Sequence, residues 1–213
     1  MLHAFRIVLP ILLLSTAVVA QGLKPIELPK PDTTGGKPLM QVLKNRHSSR
    51  EFSADTLPMP VLSNLLWAAC GINRTGEGKR TAPSAMNWQE IDVYVATAHG
   101  LFLFDPIKHA LQPVLSEDIR EKTGMQPFVK DVPVNLVYVA DMAKVNKASD
   151  ADKSFYTAAD AALVSENVYL YCASEGLSTV VRGSVDREAL AKVMKLRADQ
   201  KIIFAQSVGY PKK

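Results

Sequence analysis

Apolar residues fall into two kinds of spacing along this chain, and the alternation between them sets the expected elements. Leu39, Met40, Val42 and Leu43 supply the apolar face of a helix opened by Pro38-Leu39-Met40 that fades at the Arg-Ser-Arg stretch of residues 46 to 50. Leu62, Leu65, Leu66 and Ala69 repeat at helical spacing from about Pro60 through Cys70, and Gly71 ends that second helix. Ile91, Val93 and Val95 then alternate with polar or small residues in a strand, and LFLFDPIKHALQPVL reads as a hairpin around Asp105-Pro106. Ser116 to Thr123 predicts a short helix, and VNLVYVA, residues 134 to 140, is a nearly continuous apolar run of the kind found in a buried strand.

The longest periodic segment runs from Ser154 to Glu175, with Phe155, Ala158, Ala159, Ala162, Leu163, Leu170 and Ala173 at i, i+3, i+4 intervals. It predicts a central helix. Its small residues admit the close approach of another backbone, and a helix buried within its own domain fits the same spacing. A strand around Thr179 to Val181, a helix with Asp186 as N-cap and Glu188 in its first turn, and a strand from Ile202 to Val208 close the chain. Strands and helices mix without strict βαβ alternation, which predicts an α+β fold.

Two stretches carry no apolar period. Residues 21 to 38, with Pro25, Pro29, Pro31 and Pro38, read as an extended arm. Residues 71 to 90, GINRTGEGKRTAPSAMNWQE, read as a long polar loop, and a loop of that length in a compact domain suggests a functional use. Ahead of the arm, MLHAFR supplies a positive start, IVLPILLLSTAVV an apolar run, and Val18-Val19-Ala20 small residues before Gln21. That is the pattern of a signal peptide, so the expected division is a signal at 1–20, an arm at 21–38 and one domain at 39–213. Export to a periplasmic or extracellular space follows, with no stable membrane span after cleavage.

With 213 residues, 47% of them hydrophobic and 22% charged, there is material for one core and no disordered signature. The net charge of +4 is spread along the chain, which argues against a nucleic-acid surface and fits an anionic cofactor or substrate. Cys70 and Cys172 sit in apolar helical stretches and are expected as buried thiols, with a disulfide between them as the alternative. His3, His47, His99 and His109 are too scattered to suggest a metal site. No GxGxxG, P-loop or nucleophile elbow is present.

Candidate chemistry begins at VLKNRHSSREF, residues 42 to 52, where Arg46 and Arg50 flank Ser48 at alternate positions. Guanidinium groups offer a planar fork of donors to phosphate, and a serine hydroxyl approaches a phosphate oxygen closely. The same residues would serve equally as solvated surface charges. Two further segments, RTAPSAMNWQEIDVYVA and EGLSTVVRGSVDREAL, follow in order. Together the three segments resemble the FMN-binding segments of the nitroreductase superfamily, and the helix LSNLLWAACGINR and the terminal QSVGYP extend the resemblance over nearly all of the chain after residue 38. The nearest likeness is to the branch that includes azoline-forming dehydrogenases.

The resemblance implies a mixed sheet flanked by helices, an FMN cofactor, NADH or NADPH as donor, and a small conjugated acceptor such as a nitroaromatic or quinone. It implies that Arg46 pairs with the FMN phosphate, Ser48 bonds the ribityl-phosphate region, and Arg50 reaches the pyrimidine edge of the flavin. In the loop, Pro83, Ser84, Asn87 and Gln89 match the family's P-S-x-x-N-x-Q, whose Asn amide meets the donor and acceptor pattern of the ring edge. Arg182 and Gly183 match the segment whose backbone N–H groups face flavin N5, although many relatives carry an acid at the Arg182 position. There the Arg182 side chain would attract an anionic acceptor or form a surface salt bridge. Lys212 and Lys213 match the C-terminal basic phosphate contact. Relatives are usually intertwined homodimers with FMN at the subunit boundary, and the proline-rich arm could serve an exchange of terminal segments. A non-catalytic flavin-binding protein, or an exported flavin oxidase acting on a peptide-derived substrate, is the alternative.

Overall fold

The continuous apolar runs become the middle of a sheet that is covered on both faces. A computed structural model describes residues 23–212, so the expected signal at 1–20 and Lys213 lie outside the described residues. The strands are β1 (Ile26–Glu27), β2 (Ile72–Arg74), β3 (Lys79–Arg80), β4 (Ile91–Thr97), β5 (Gly100–Asp105), β6 (Ala110–Leu115), β7 (Val134–Asp141), β8 (Ser178–Arg182) and β9 (Gln200–Gly209). The helices are α1 (Leu39–Asn45), α2 (Met59–Cys70), α3 (Asp150–Glu175) and α4 (Arg187–Val193). Seven strands form one antiparallel sheet in the order β1-β6-β5-β4-β7-β9-β8, and β2 and β3 pair as a separate hairpin.

Every residue of β7 is buried, because successive side chains feed opposite cores. Leu136 and Tyr138 pack with Val93 and Val95 of β4 under Leu62, Leu65 and Leu66 of α2 and Val164 and Val168 of α3. Val137 and Val139 pack with Tyr94 and Ala96 against Leu190 and Met194 at α4. The α+β architecture with a long central helix is as the sequence predicts.

Four expectations change in detail. The 71–90 segment is not all loop, since Ile72↔Arg80 and Arg74↔Lys79 pair across a turn. The arm contributes Ile26–Glu27 to the sheet edge beside β6. It is also pinned by Ser63, whose hydroxyl donates to the Pro29 carbonyl and accepts from His109 Nε2 at 2.7 Å. The helix expected from Ser116 is only a 3₁₀ turn at Arg120–Thr123. The central helix starts at Asp150, a turn before Ser154, because Ser149 caps it, accepting from the Asp152 N–H at 3.2 Å.

The face of α3 is the larger correction. Its buried residues are Thr157, Asp160, Ala161, Val164, Ser165, Val168, Tyr169 and Cys172, whereas Phe155 is 68% exposed and Leu163 43% exposed. The helix carries apolar groups on two sides, and the sequence period followed the outer one. In α1, likewise, only Val42 is buried and Leu39, Met40 and Leu43 face outward. Cys70 and Cys172 are free and buried, and desolvation pushes the Cys70 thiol up to about 11 and Cys172 higher still.

Arg182 is buried on the sheet face opposite α3. Its Nε donates to Ser207 Oγ at 3.2 Å, Nη1 to the Thr123 carbonyl at 2.7 Å, and Nη2 to Asn135 Oδ1 at 3.1 Å. Each acceptor is neutral, so burial pulls this guanidinium down to about 10, and it stays charged at neutral pH. It therefore neither meets an anionic substrate nor forms a surface salt bridge; it ties β7, β8, β9 and the 3₁₀ turn together. The fit leaves no room at Gly124, where a Cβ would lie 1.8 Å from Arg182 Nη1. Gly124→Ala should destabilise the fold by about 1–3 kcal/mol through overpacking and a lost charged hydrogen bond. A thermal melt should show a drop of several degrees, while Gly76→Ala, with nothing within 4 Å of its Cβ, stays at the parent value.

Candidate functional site

Arg46 closes α1, donating its N–H to the Val42 carbonyl at 2.8 Å, and from there the chain runs beside β8. β8 is the end strand of the sheet, so its alternate residues turn N–H and C=O groups outward, and each needs a partner. The Thr179 carbonyl accepts from the Ser49 N–H at 2.9 Å. The Val181 N–H donates to the Tyr169 hydroxyl at 2.9 Å, and that hydroxyl also bonds Ser48 Oγ at 2.8 Å. With the Val181 amide donating into Tyr169 Oη, the phenol proton is available to Ser48 Oγ, which leaves the serine proton for an outside oxygen. Gly183 follows β8 directly, and a Cβ there would meet nothing within 4 Å.

The Arg46 guanidinium lies over the Tyr169 ring, 5.2 Å from its centroid. Such a contact holds the charge in place while leaving its N–H donors free. Arg50 is exposed, and the ion pairs among the described residues include neither Arg46, Arg50 nor Lys212. Phe52 bridges to Pro211, and the Ser53 N–H donates to the Tyr210 carbonyl at 2.9 Å, which brings the chain end with Lys212 alongside this segment. Arg46, Ser48, the outer edge of β8 and the C-terminal residues are thus gathered by the Tyr169 hydroxyl and the Phe52 bridge.

The 83–89 loop is built separately. Asp160 Oδ2 accepts from the Ala85 N–H at 2.8 Å, and Ser84 Oγ accepts from the Gln89 N–H at 3.0 Å. Gln89 Nε2 donates to Asn87 Oδ1 at 3.1 Å and to the Gly78 carbonyl at 3.0 Å. Met86, Asn87 and Gln89 all take positive φ, between 50° and 54°, a conformation that costs non-glycine residues energy and survives only where surrounding bonds enforce it. Ser84 and Gln89 hold the loop's own shape, Pro83 is exposed, and the exposed Asn87 keeps its amide N–H₂ without a partner among the described residues. Trp88 packs edge-on against Tyr156 of α3, with ring centroids 5.9 Å apart.

The two halves sit on opposite flanks of one helix. Asp160 and Tyr169 are nine residues apart, which in an α-helix is about half a turn of rotation and about 13.5 Å of rise. A single chain therefore holds the Arg46 cradle on one side of α3 and the Asn87 loop on the other. Three residues that hold these pieces, Tyr169, Asp160 and the fully buried Glu90 next to the loop, were not among the sequence candidates. Tyr169 and Asp160 interrupt the buried face of α3 with polar atoms, a signal visible only once that face is known.

Comparison with known proteins identifies the family to which this fold belongs. The sequence profile of the Nitroreductase family matches residues 43–210. A protein of Methanocaldococcus jannaschii described as a nitroreductase is 27% identical over 183 residues, covering 81% of this chain and 91% of the relative. A crystal structure described as a nitroreductase of Ralstonia eutropha JMP134 superposes with a TM-score of 0.86 at 44% identity, covering 92% of this chain and 93% of that one. A chain of the E. coli microcin synthetase McbBCD complex shares the fold, with a TM-score of 0.68 at 17% identity over 99% of this chain and 85% of that one. With this fold and with a match that spans the cradle, the loop and β8, the chain belongs to the nitroreductase family.

Proposed function

We propose that this protein is an FMN-dependent oxidoreductase that passes reducing equivalents from NADH, NADPH or another donor to a small conjugated acceptor such as a nitroaromatic or quinone. The observation that carries the reading is the Arg46 guanidinium held over Tyr169 beside Ser48, with no carboxylate paired to it. Fixed unpaired donors at that spacing suit a phosphate monoester. The open space at Gly183 suits a flat ring lying against the backbone, since no side chain stands in its way. FMN, when bound, supplies the hydride chemistry. The chain's own residues would do the rest: Arg46, Ser48 and Lys212 would hold the phosphate end, the Gly183 amide would face the ring, and Arg50 would place a cation where negative charge develops on reduction.

We also propose that the working unit is a homodimer in which the Asn87 loop of one protomer completes the Arg46 cradle of its partner. Two features support it: the half-turn between Asp160 and Tyr169, and the outward apolar residues Leu39, Met40, Leu43, Phe155 and Leu163 on α1 and α3. The overall likeness of the three segments, and the fold shared with a chain of the E. coli microcin synthetase complex, support placement near the azoline-forming branch. The signal-peptide pattern supports export, and since nicotinamides are scarce outside the cytoplasm, a different donor would then serve.

Arg46 and Arg50 should separate in a titration. Arg46→Ala loses a charge-assisted phosphate contact of about 1.5–3 kcal/mol, so FMN affinity should fall roughly 10- to 100-fold with little change in the bound flavin's potential. Arg50→Ala should weaken FMN less and lower the midpoint potential. Equal FMN affinity for both variants and the parent would show that the cradle is ordinary charged surface. Sedimentation at micromolar concentration should give a dimer, and a monomer that holds FMN tightly would overturn the shared site. N-terminal sequencing of the secreted product should begin near Gln21, whereas a product that retains Met1 in the cytoplasm defeats export.

A further inference from the structure

We propose that the cleft between the start of α2 and the sheet is a binding site for one lipophilic carboxylate, an apolar chain with a single anionic head. The site is independent of the FMN reading, since Arg46, Ser48, Arg50 and Lys212 take no part in its lining.

The cleft has a volume of about 510 Å³, the size of a site for one small molecule. Its floor is the main core itself. Leu62 of α2, Phe102 of β5, Leu111 of β6 and Val134 of β7 all line it, although each is between 1% and 5% exposed. One wall is the strip that leads from Phe52 into α2, where Ala54, Thr56, Leu57 and Met59 face the space. Met59 is 40% exposed, and an unbranched thioether there repacks readily around chains of different shape. An open floor of core side chains under an adaptable wall suits an apolar body that fills the cleft and excludes water from it.

The head group follows from the donors at the mouth. Arg120 lines the cleft in a fixed position, with Nε and Nη2 on the Asp118 carboxylate at 3.0 and 2.8 Å and Nη1 on the Val132 carbonyl at 3.0 Å. Those bonds use three of its five N–H groups, so two remain for an acceptor. Lys130, also in the lining, has no carboxylate within ion-pair distance among the described residues, and its neighbour Asp131 is no exception. His99 adds its imidazole, and α2 begins at the cleft with no side-chain cap, so its positive end adds to the same preference. Asp131 is the one acid in the lining, and it is exposed to water that screens its repulsion.

Three kinds of head can be compared on this mouth. An ammonium would find only Asp131, and an alcohol would leave the Lys130 charge unpaired. A carboxylate takes Lys130 and the two remaining N–H groups of Arg120, which are charge-assisted bonds to a planar acceptor.

The test titrates dodecanoate, dodecanol and dodecylammonium into the purified protein by calorimetry, each below the concentration at which it self-associates. Dodecanoate should bind once per chain and roughly tenfold tighter than the other two. Lys130→Ala should bring the acid to within about threefold of the alcohol. Ala54→Trp places an indole in the cleft from an exposed position of its wall, and it should weaken all three by at least about tenfold while the variant melts with the parent. Independently of any variant, dodecanoate should shift the methyl NMR signals of Leu57, Leu62, Leu111 and Val134. Saturating FMN should leave the dodecanoate affinity unchanged.

Equal affinity for the three heads, or an undiminished preference in Lys130→Ala, would overturn the carboxylate. Several molecules per chain, or methyl shifts confined to other parts of the protein, would overturn the cleft. Competition between FMN and dodecanoate would make the cleft part of the cofactor site. A parental dimer that Ala54→Trp breaks, with no probe bound to the parent, would make it an interface between copies; either result overturns the proposal.

Discussion

The hydroxyl of Tyr169 is the point on which the arrangement around the cradle depends. An end strand leaves half of its backbone groups without a neighbour, and at Val181 that group is satisfied by a side chain instead of another strand. Because the same oxygen bonds Ser48, and the same ring carries Arg46, one residue of α3 fixes the sheet edge, the hydroxyl and the guanidinium together. Replacing this phenol with an apolar ring would keep the cation–π contact and strand the Val181 amide, so the edge would loosen before the charge did.

Arg182 shows why a residue's type does not settle its use. On the strand next to the cradle an arginine invites an electrostatic role, yet the strand alternation sends its side chain through to the opposite face. There it acts as a neutral-caged cross-link, and Gly124 is the space that this cross-link occupies. The cradle's positive character comes from Arg46 and Arg50 on the other side of the sheet edge.

Much of the fold was legible in the sequence because burial leaves a plain trace. The continuous run at 134–140 could only be a strand covered twice, and Gly71 and Asp186 marked element ends, the first where a side chain would collide with Trp67 and the second through its carboxylate accepting from the Ala189 N–H. What the sequence hid had physical causes. α3 is apolar on two sides, so its period does not say which side faces the sheet, and Phe155 and Leu163 fit that period as well as Val164 and Val168 do. The β2 and β3 hairpin is made of Ile72, Asn73, Arg74, Lys79 and Arg80, whose pairing owes more to the turn between them than to any apolar alternation. Within the candidate site, Arg46 and Ser48 were readable as an anion-binding pattern. Tyr169, Asp160 and Glu90 were not, since each matters through a contact with a distant segment.

The two ends of the sheet are closed in different ways, and together they have a consequence for the chain's behaviour at high concentration. At one end β1 is two residues long and lies next to Pro25 and Pro29, which lack the N–H that a further strand would need. At the other, the 46–53 segment and the Tyr169 hydroxyl take up outward groups of β8. A sheet this rich in valine and isoleucine would otherwise be a template for strand addition from another copy. The segments that build the cradle thus also guard against polymerisation, so variants that detach residues 46 to 53 should be prone to form β-rich aggregates.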